Sequence, residues 1–182
     1  MTWAHRIGLR WSRWQLRTCG LYTVDIRTAL SLGGKAVVCL PERKELLSAA
    51  LEVSRRLSEW FYPLHLIVLS PSKYPPDLTE VGFPALVIPQ AISMWGLPYK
   101  PIIHRVRKLA PRVAVDLHPE FHLASAHLCV QSGAALRIGF RALHDGYFNL
   151  HYTWKDGDGT DASDHFRNFL EMLADLRSSA IG

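Results

Sequence analysis

Residues 112–140 read RVAVDLHPEFHLASAHLCVQSGAALRIGF, with two apolar runs on either side of a segment of helical composition. The first run, residues 112–117, has the length of a buried strand rather than that of a helix. The helical segment extends from about residue 119 to residue 131 and stops before Gly133, a residue type that commonly ends helices. The second run, residues 135–140, follows at once. This order predicts two parallel strands joined by a crossover helix.

The same alternation of strand-length apolar runs and helical segments continues on both sides of this unit. It predicts further strands at residues 35–40, 64–70, 85–89 and 147–154, and further helices at about residues 42–61, 101–109 and 162–176. The last strand alternates polar and apolar residues, as a strand at the edge of a sheet does. Together these elements predict an α/β fold, namely a single Rossmann-like domain with a mostly parallel sheet flanked by helices.

The length and composition of the chain are those of one folded domain. Its 182 residues are 48% hydrophobic and 20% charged. We divide it into a leader, residues 1–34, and the Rossmann-like domain, residues 35–182. The sequence contains no run of about 18 apolar residues, and its Arg- and Trp-rich amino terminus does not have the pattern of a secretory signal. We therefore expect a cytoplasmic protein, or one attached peripherally to the inner membrane.

Three cysteines, Cys19, Cys39 and Cys129, are widely separated and lie in apolar surroundings. Their odd number and their spacing fit neither a disulfide framework nor a CxxC metal site, so we interpret them as small buried residues. In addition, no GxGxxG motif follows the strand at residues 35–40, so a nicotinamide-type dinucleotide site is not expected. We predict neither a cofactor nor a bound metal.

The net charge of +5 belongs to residues 1–35, that is, to the leader and Lys35, because residues 36–182 carry equal numbers of basic and acidic side chains. The leader places aromatic and apolar residues at helical spacing beside a row of arginines with the same spacing: Trp3, Ile7, Trp11 and Trp14 beside Arg6, Arg10, Arg13 and Arg17. This pattern predicts a basic amphipathic helix. Two interpretations stay open: the helix binds an anionic membrane surface, or it packs on the domain with its arginines in water. Because the domain itself is neutral and has no nucleic-acid-binding motif, no nucleic-acid partner is expected.

The unit at residues 113–140 also carries specific motifs. These are Val113-Ala-Val-Asp-Leu117, then Ala124, Ala126 and Leu128, then Ser132-Gly-Ala-Ala-Leu-Arg-Ile-Gly-Phe140. They resemble the heptosyltransferases of glycosyltransferase family nine, in which a strand ending in Asp-Leu enters a helix and a Gly-Ala turn leads to a strand reading Arg-Ile-Gly-Phe. The order of elements from Lys35 to Leu176 is similar to that of the whole amino-terminal domain of this family.

The resemblance implies one half of a two-domain GT-B fold. In the family, the first domain holds a lipopolysaccharide-type acceptor and the second holds the nucleotide-sugar donor; this sequence resembles only the first. The family's first loop carries a Gly-Asp pair whose Asp is the general base, whereas here the loop reads Leu40-Pro-Glu-Arg-Lys-Glu45. Glu42 and Glu45 are the candidates to replace that base. We expect any sugar transfer to require a partner protein that supplies the donor domain.

Ligands of open α/β sheets lie beyond the carboxyl ends of the strands, so the loops after Leu40 and Leu117 contain the candidate binding residues. Arg43 and Lys44 would lie in a first helical turn, as ligands for a phosphate or simply as solvated side chains. The second loop clusters four polar residues: Asp116, His118, Glu120 and His122. They are candidates for acid/base chemistry or acceptor binding, with a metal or ordinary helix capping as the alternatives.

Two functions therefore stay open. The first is a glycosyltransferase-related, acceptor-side domain that works with a donor-domain partner. The second is a non-catalytic, membrane-peripheral interaction or scaffold protein that kept the fold and lost the chemistry. A donor-binding partner would favour the first function, and partners without any sugar enzyme would favour the second.

Overall fold

Six short strands pair in parallel to form one sheet. They are β1 (Ala36–Cys39), β2 (Leu64–Leu69), β3 (Ala85–Ile88), β4 (Val113–Asp116), β5 (Leu136–Phe140) and β6 (Leu150–Tyr152). The computed structural model describes residues 3–18, 24–70, 78, 82–140, 146–153 and 161–179, and the sheet order within them is β3-β2-β1-β4-β5-β6. The predicted α/β, Rossmann-like fold is confirmed.

Six helices accompany the sheet in the described part of the chain. They are α1 (Trp3–Thr18), α2 (Ile26–Ser31), α3 (Lys44–Ser58), α4 (Lys100–Lys108), α5 (Leu123–Gln131) and α6 (Ala162–Ser178). Helix α5 ends before Gly133, whose φ of +83° is a conformation that favours glycine and suits a helix terminus. None of these described helices combines the length and the apolar character that a bilayer-spanning helix needs.

The helices cover both faces of the sheet. Residues on one face of the strands form the larger core with α2, α3 and α6, and residues on the other face form a second core with α4 and α5. Successive residues of β1 point to opposite faces of the sheet: Val38 belongs to the first core and Cys39 to the second. The free thiols of Cys39 and Cys129 are both buried, as predicted, whereas Cys19 lies outside the described residues.

The order of the strands reverses between β1 and β4. From β1 the chain moves through α3 to β2 on one side, and from β4 it moves through α5 to β5 on the other side. The two strands are in register, with Cys39 of β1 opposite Asp116 of β4. Because α3 and α5 leave in opposite directions and on opposite faces, an open space remains beyond the carboxyl ends of these two strands.

Three elements differ from the sequence-based expectation, and the first is helix α2, which was not predicted. Helix α5 begins at Leu123 rather than near residue 119, because residues 117–122 form a non-helical connection in which His122 is the extended N-cap residue. Strand β6 spans three of the seven described residues of the predicted strand, whose last residue, Trp154, lies outside the described part of the chain; it pairs with β5 at the edge of the sheet over residues 138–140. The predicted edge position is confirmed.

The predicted leader helix is present as α1, and it packs against the outer side of α5. Residues 123–130 of α5 are all buried, which requires cover on the side that faces away from the sheet. Leu9 and Leu16 of α1 pack there against a small core that includes Tyr147. Downstream, α2 adds Leu30 to the larger core, so residues assigned to the leader contribute to the folded domain.

A buried polar network fastens α1 to the domain. Tyr147 donates a hydrogen bond to the hydroxyl of Ser12 at 2.8 Å, and the hydroxyl of Ser12 lies 2.7 Å from Nδ1 of His127 in α5. Burial lowers the pKa of His127 to about 4, so at neutral pH the ring is uncharged and Nδ1 is free to accept from Ser12. Three hydroxyl or imidazole groups that would be costly to bury alone thereby satisfy one another.

Gly139 of β5 provides a test of the packing between β5 and the chain that follows it. A Cβ atom on Gly139 would lie 2.7 Å from ring atoms of Phe148, which is closer than side chains pack. We expect Gly139→Val to lower the free energy of unfolding by about 1–3 kcal/mol, measured by urea denaturation. In a Phe148→Leu background, Gly139→Ala should cost less than in the wild-type chain, and an equal cost in both backgrounds would contradict the clash.

The network around Ser12 should make stability depend on pH. The pKa of His127 is about 4 in the folded protein and about 6.5 in an unfolded chain, so the unfolded chain binds more protons as the pH falls below about 6.5. Lowering the pH from 7.5 to 5 should therefore destabilise the wild-type protein by about 1–2 kcal/mol more than His127→Gln, which keeps an acceptor for Ser12 and does not titrate. Urea denaturation at both pH values measures the difference, and equal losses would refute the explanation.

Candidate functional site

A cavity of about 250 Å³ lies beyond the carboxyl ends of β1 and β4, where the strand order reverses. Two loops and the first turn of α3 form its wall: Pro41, Glu42, Arg43 and Leu46 on the β1 side, and His118, Pro119, Glu120, Phe121 and His122 on the β4 side. Five of the side chains predicted from the sequence therefore meet here, namely Glu42, Arg43, His118, Glu120 and His122.

Asp116 and His118 form the most strongly defined pair of the site. Asp116 is the last residue of β4 and is buried, and its Oδ1 lies 2.6 Å from Nδ1 of His118. The same oxygen accepts a second hydrogen bond, from the backbone N–H of His118. A carboxylate only accepts hydrogen bonds, so in this pair Nδ1 carries the proton and Nε2 is the nitrogen with a lone pair.

His122 stacks on His118 and extends the pair. Their ring centroids are 4.3 Å apart and the ring planes differ by 19°. Nδ1 of His122 lies 2.8 Å from the hydroxyl of Ser125, a buried residue in the first turn of α5. Both imidazoles are therefore oriented through Nδ1 by a residue of the protein, and both line the cavity. Because residues 118–122 are not helical, the rings meet through a turn rather than through the four-residue spacing of a helix.

Glu42 lies on the opposite wall, two residues beyond Leu40. Its Oε2 accepts a hydrogen bond of 3.1 Å from the hydroxyl of Ser70, which immediately follows β2. Partial burial raises the pKa of Glu42, while the Ser70 hydrogen bond and the nearby His118 act in the opposite direction. The carboxyl group of Glu42 is thus held in place and lies within electrostatic reach of His118.

The remaining predicted residues divide between the cavity and the solvent. Arg43 is the N-cap residue of α3 and lines the cavity, and Glu120 lines it from the second loop. Lys44 is exposed, and the side chain of Glu45 is 76% exposed; neither belongs to the wall. The ion pair between Arg43 and Glu45 is long, at 3.9 Å, and open to water, so it contributes little to stability. Of the two glutamates predicted as a base, only Glu42 is placed to meet a ligand in the cavity.

The electrostatic character of the cavity is mixed. Both α3 and α5 begin at its edge, and the amino-terminal ends of helices carry partial positive charge that favours anionic groups. Glu42 and Glu120 bring carboxylates to the same space. Among the described residues, no three His, Cys, Asp or Glu side chains are arranged to hold a metal ion. The cavity therefore presents both partial positive charge, from the two helix starts, and carboxylates.

The chemistry open to this arrangement is proton transfer. With Nδ1 held by Asp116, Nε2 of His118 can accept a proton from a hydroxyl group in the cavity, and the Asp116 carboxylate then stabilises the imidazolium.

Below the site, a hydrogen bond with Cys39 and complete burial raise the pKa of the Cys129 thiol. That thiol stays protonated and takes no part as a nucleophile.

Two contributors were not predicted from the sequence. Ser70 positions Glu42, and Ser125 positions His122. The only available signal was the place of Ser70 directly after a buried strand, at the edge of the sheet where ligands bind. Phe121 also adds an aromatic wall and contacts Tyr147, with ring centroids 5.4 Å apart.

Comparison of the chain with protein families, with curated proteins and with solved structures finds no match.

The hydrogen bond from Ser70 gives a direct test of the site's geometry. Ser70→Ala removes a donor that favours the ionised form of Glu42, so the pKa of Glu42 should rise further above its ordinary value. A titration of the Glu42 carboxyl carbon by NMR measures the change. Ser125→Ala is the matched control, because its hydroxyl contacts His122 instead and its loss should leave the pKa of Glu42 in place. An unchanged pKa in Ser70→Ala would show that the two groups do not interact.

Proposed function

We propose that the chain binds the hydroxyl acceptor of a sugar-transfer reaction, as an acceptor-side domain related to the heptosyltransferases. The observation that carries the proposal is the 2.6 Å hydrogen bond from the buried Asp116 to His118, which lines the cavity at the reversal of strand order. A histidine held by an aspartate is the usual protein group for removing a proton from a hydroxyl. Asp116 is also the Asp of the Asp-Leu strand end on which the resemblance rests.

Four residues in or beside the cavity have a role in this proposal. Nε2 of His118 accepts the proton of the attacking hydroxyl, and Asp116 stabilises the charge that develops on the ring. Glu42 accepts a hydrogen bond from a second hydroxyl of the acceptor, since Ser70 holds its carboxylate toward the cavity. Arg43 and the two helix starts favour a phosphate group, which is common on lipopolysaccharide-type acceptors.

His118 therefore takes the place of the family's general base. In the heptosyltransferases that base is the Asp of a Gly-Asp pair in the first loop, which this sequence lacks. The first loop still contributes Glu42 to the same cavity as His118. The nucleotide sugar is assigned to a second domain or a partner protein, which would close over the carboxyl ends of β1 and β4.

Binding of deacylated lipopolysaccharide core oligosaccharides to the purified chain tests the acceptor role. We expect saturable binding by calorimetry, weakened about tenfold or more by His118→Gln, which replaces the imidazole held by Asp116, or by Glu42→Gln, which removes the charge that strengthens the hydrogen bond to the ligand. The matched control is His104→Gln, an exposed position on α4 away from the cavity, which should bind like the wild type. Absence of saturable binding, or equal weakening by the control, would contradict the acceptor role.

Nucleotide release from a panel of nucleotide sugars, ADP-heptose included, separates acceptor binding from catalysis. We expect release only when a donor-binding partner is added, with a strong loss in His118→Gln. Nucleotide release by the chain alone would show that the chain has its own donor site. That result would contradict the assignment of acceptor and donor to different domains.

The second candidate function is a non-catalytic interaction protein. The observation in its favour is that α1 exposes large aromatic side chains to solvent. Such a surface can serve an interaction in which the cavity residues take no part. This function predicts no oligosaccharide binding and no effect of His118→Gln on any interaction of the chain. The calorimetric experiment thus distinguishes the two functions.

A further inference from the structure

The contacts that α1 makes with the rest of the domain determine which of its faces other molecules can reach. Ser12 is buried and bonded to His127 and Tyr147, and Gly8 lies so close to the backbone of Trp95 that a Cβ atom would clash with its carbonyl oxygen. The helix is therefore docked through small residues and two leucines, Leu9 and Leu16. At 100° per residue, the side opposite Ser12 points away from the domain, although the ring of Trp3 on that side meets the ring of Trp95 edge-on, with centroids 5.8 Å apart.

That opposite side is apolar and exposed. It consists of Trp3, Ile7, Trp11 and Trp14, which we call the α1 outer face, and their exposed fractions are 67%, 44%, 53% and 57%. The rings of Trp11 and Trp14 also contact each other, with centroids 5.3 Å apart. These four make up half of the large hydrophobic side chains that are exposed in the described part of the chain. A tryptophan-rich stripe concentrated on one helix marks an interaction surface rather than scattered surface residues.

The border of the α1 outer face is strongly basic. Arg6, Arg10 and Arg13 are exposed along one side of it, and residues 3–18 contain no acidic side chain. A shallow surface groove of about 420 Å³ lies on this helix alone, lined by Trp3, Arg6, Ile7, Leu9, Arg10 and Arg13. Guanidinium groups beside indole rings provide phosphate ligands next to an apolar surface.

We infer that the α1 outer face binds an anionic lipid bilayer, with α1 lying in the plane of the membrane surface. Indole rings favour the boundary between headgroups and acyl chains, and arginines favour the phosphates at the same depth. A protein partner would require carboxylates matched to each arginine, whereas an anionic bilayer neutralises the whole row without such matching. The inference is independent of the cavity and of the proposed function.

Flotation of the full chain with lipid vesicles tests this inference. We expect saturable binding to vesicles that contain phosphatidylglycerol, weaker binding to pure phosphatidylcholine, and loss of binding at high salt. Tryptophan fluorescence should shift to the blue on binding and should be quenched by brominated lipid. Absence of binding to the anionic vesicles would overturn the inference.

Two variants separate the apolar and electrostatic contributions. Trp11→Ala with Trp14→Ala removes exposed rings, and Arg6→Glu with Arg10→Glu reverses exposed charges, so neither pair disturbs the docked side of α1. Each pair should weaken binding about tenfold or more. Circular dichroism and the urea midpoint should stay at their wild-type values, which establishes that any loss of binding is not a loss of folding.

The matched controls lie elsewhere on the domain. Arg105→Glu with Arg107→Glu makes the same change of charge at exposed positions of α4, and Tyr62→Ala removes an exposed ring far along the chain. Both should bind vesicles within about twofold of the wild type, since only α1 contacts lipid. An equal loss of vesicle binding in the α4 variant would show that binding depends only on the net charge of the protein, and it would overturn the inference. Self-association through α1 without vesicle binding, measured by sedimentation, would also overturn it.

Discussion

The parallel pairing of β1 with β4 is the interaction on which the rest of the structure depends. It joins the two halves of the sheet, β3-β2-β1 and β4-β5-β6, and it is the place where the strand order reverses. The register sets Cys39 opposite Asp116, which brings the loop after β1 beside the loop after β4. A slip by one residue would exchange the two faces of a strand and turn Asp116 toward the opposite core. The cavity exists because the helices that follow these strands diverge.

Within the cavity, geometry is imposed by buried polar groups that satisfy one another. Asp116 is buried, and its two hydrogen bonds from His118 offset the cost of removing a carboxylate from water. On the other wall, Ser70 performs the same task for Glu42. These pairs hold a basic group and a hydrogen-bond acceptor in fixed positions, and such preorganisation is what proton transfer from a bound hydroxyl requires.

Helix α5 links this site to the amino-terminal helix. Its sheet-facing side belongs to the second core, and its outer side packs with Leu9 and Leu16 of α1. Phe121 lines the cavity and also packs against the small core under α1. The side of α1 that is free of these contacts is the tryptophan-rich face. Helix α5 is apolar on both sides, so its outer side has to be covered by α1. This cover determines which side of α1 is docked and which side is exposed.

Local periodicity was sufficient to predict the α/β class, most strands within one or two residues, and the amphipathic character of α1, because these depend on residues close in sequence. It also placed Glu42, Arg43, His118 and His122 at the edge formed by the carboxyl ends of the strands, since that follows from where the strands end. The stacking of His118 on His122 and the role of Ser70 depended on the tertiary structure. So did the direction of α1, because Ser12 contacts His127 and Tyr147 across 115 and 135 residues of chain. A repeating pattern tells which side chains share a face, whereas only contacts between distant segments determine what that face meets.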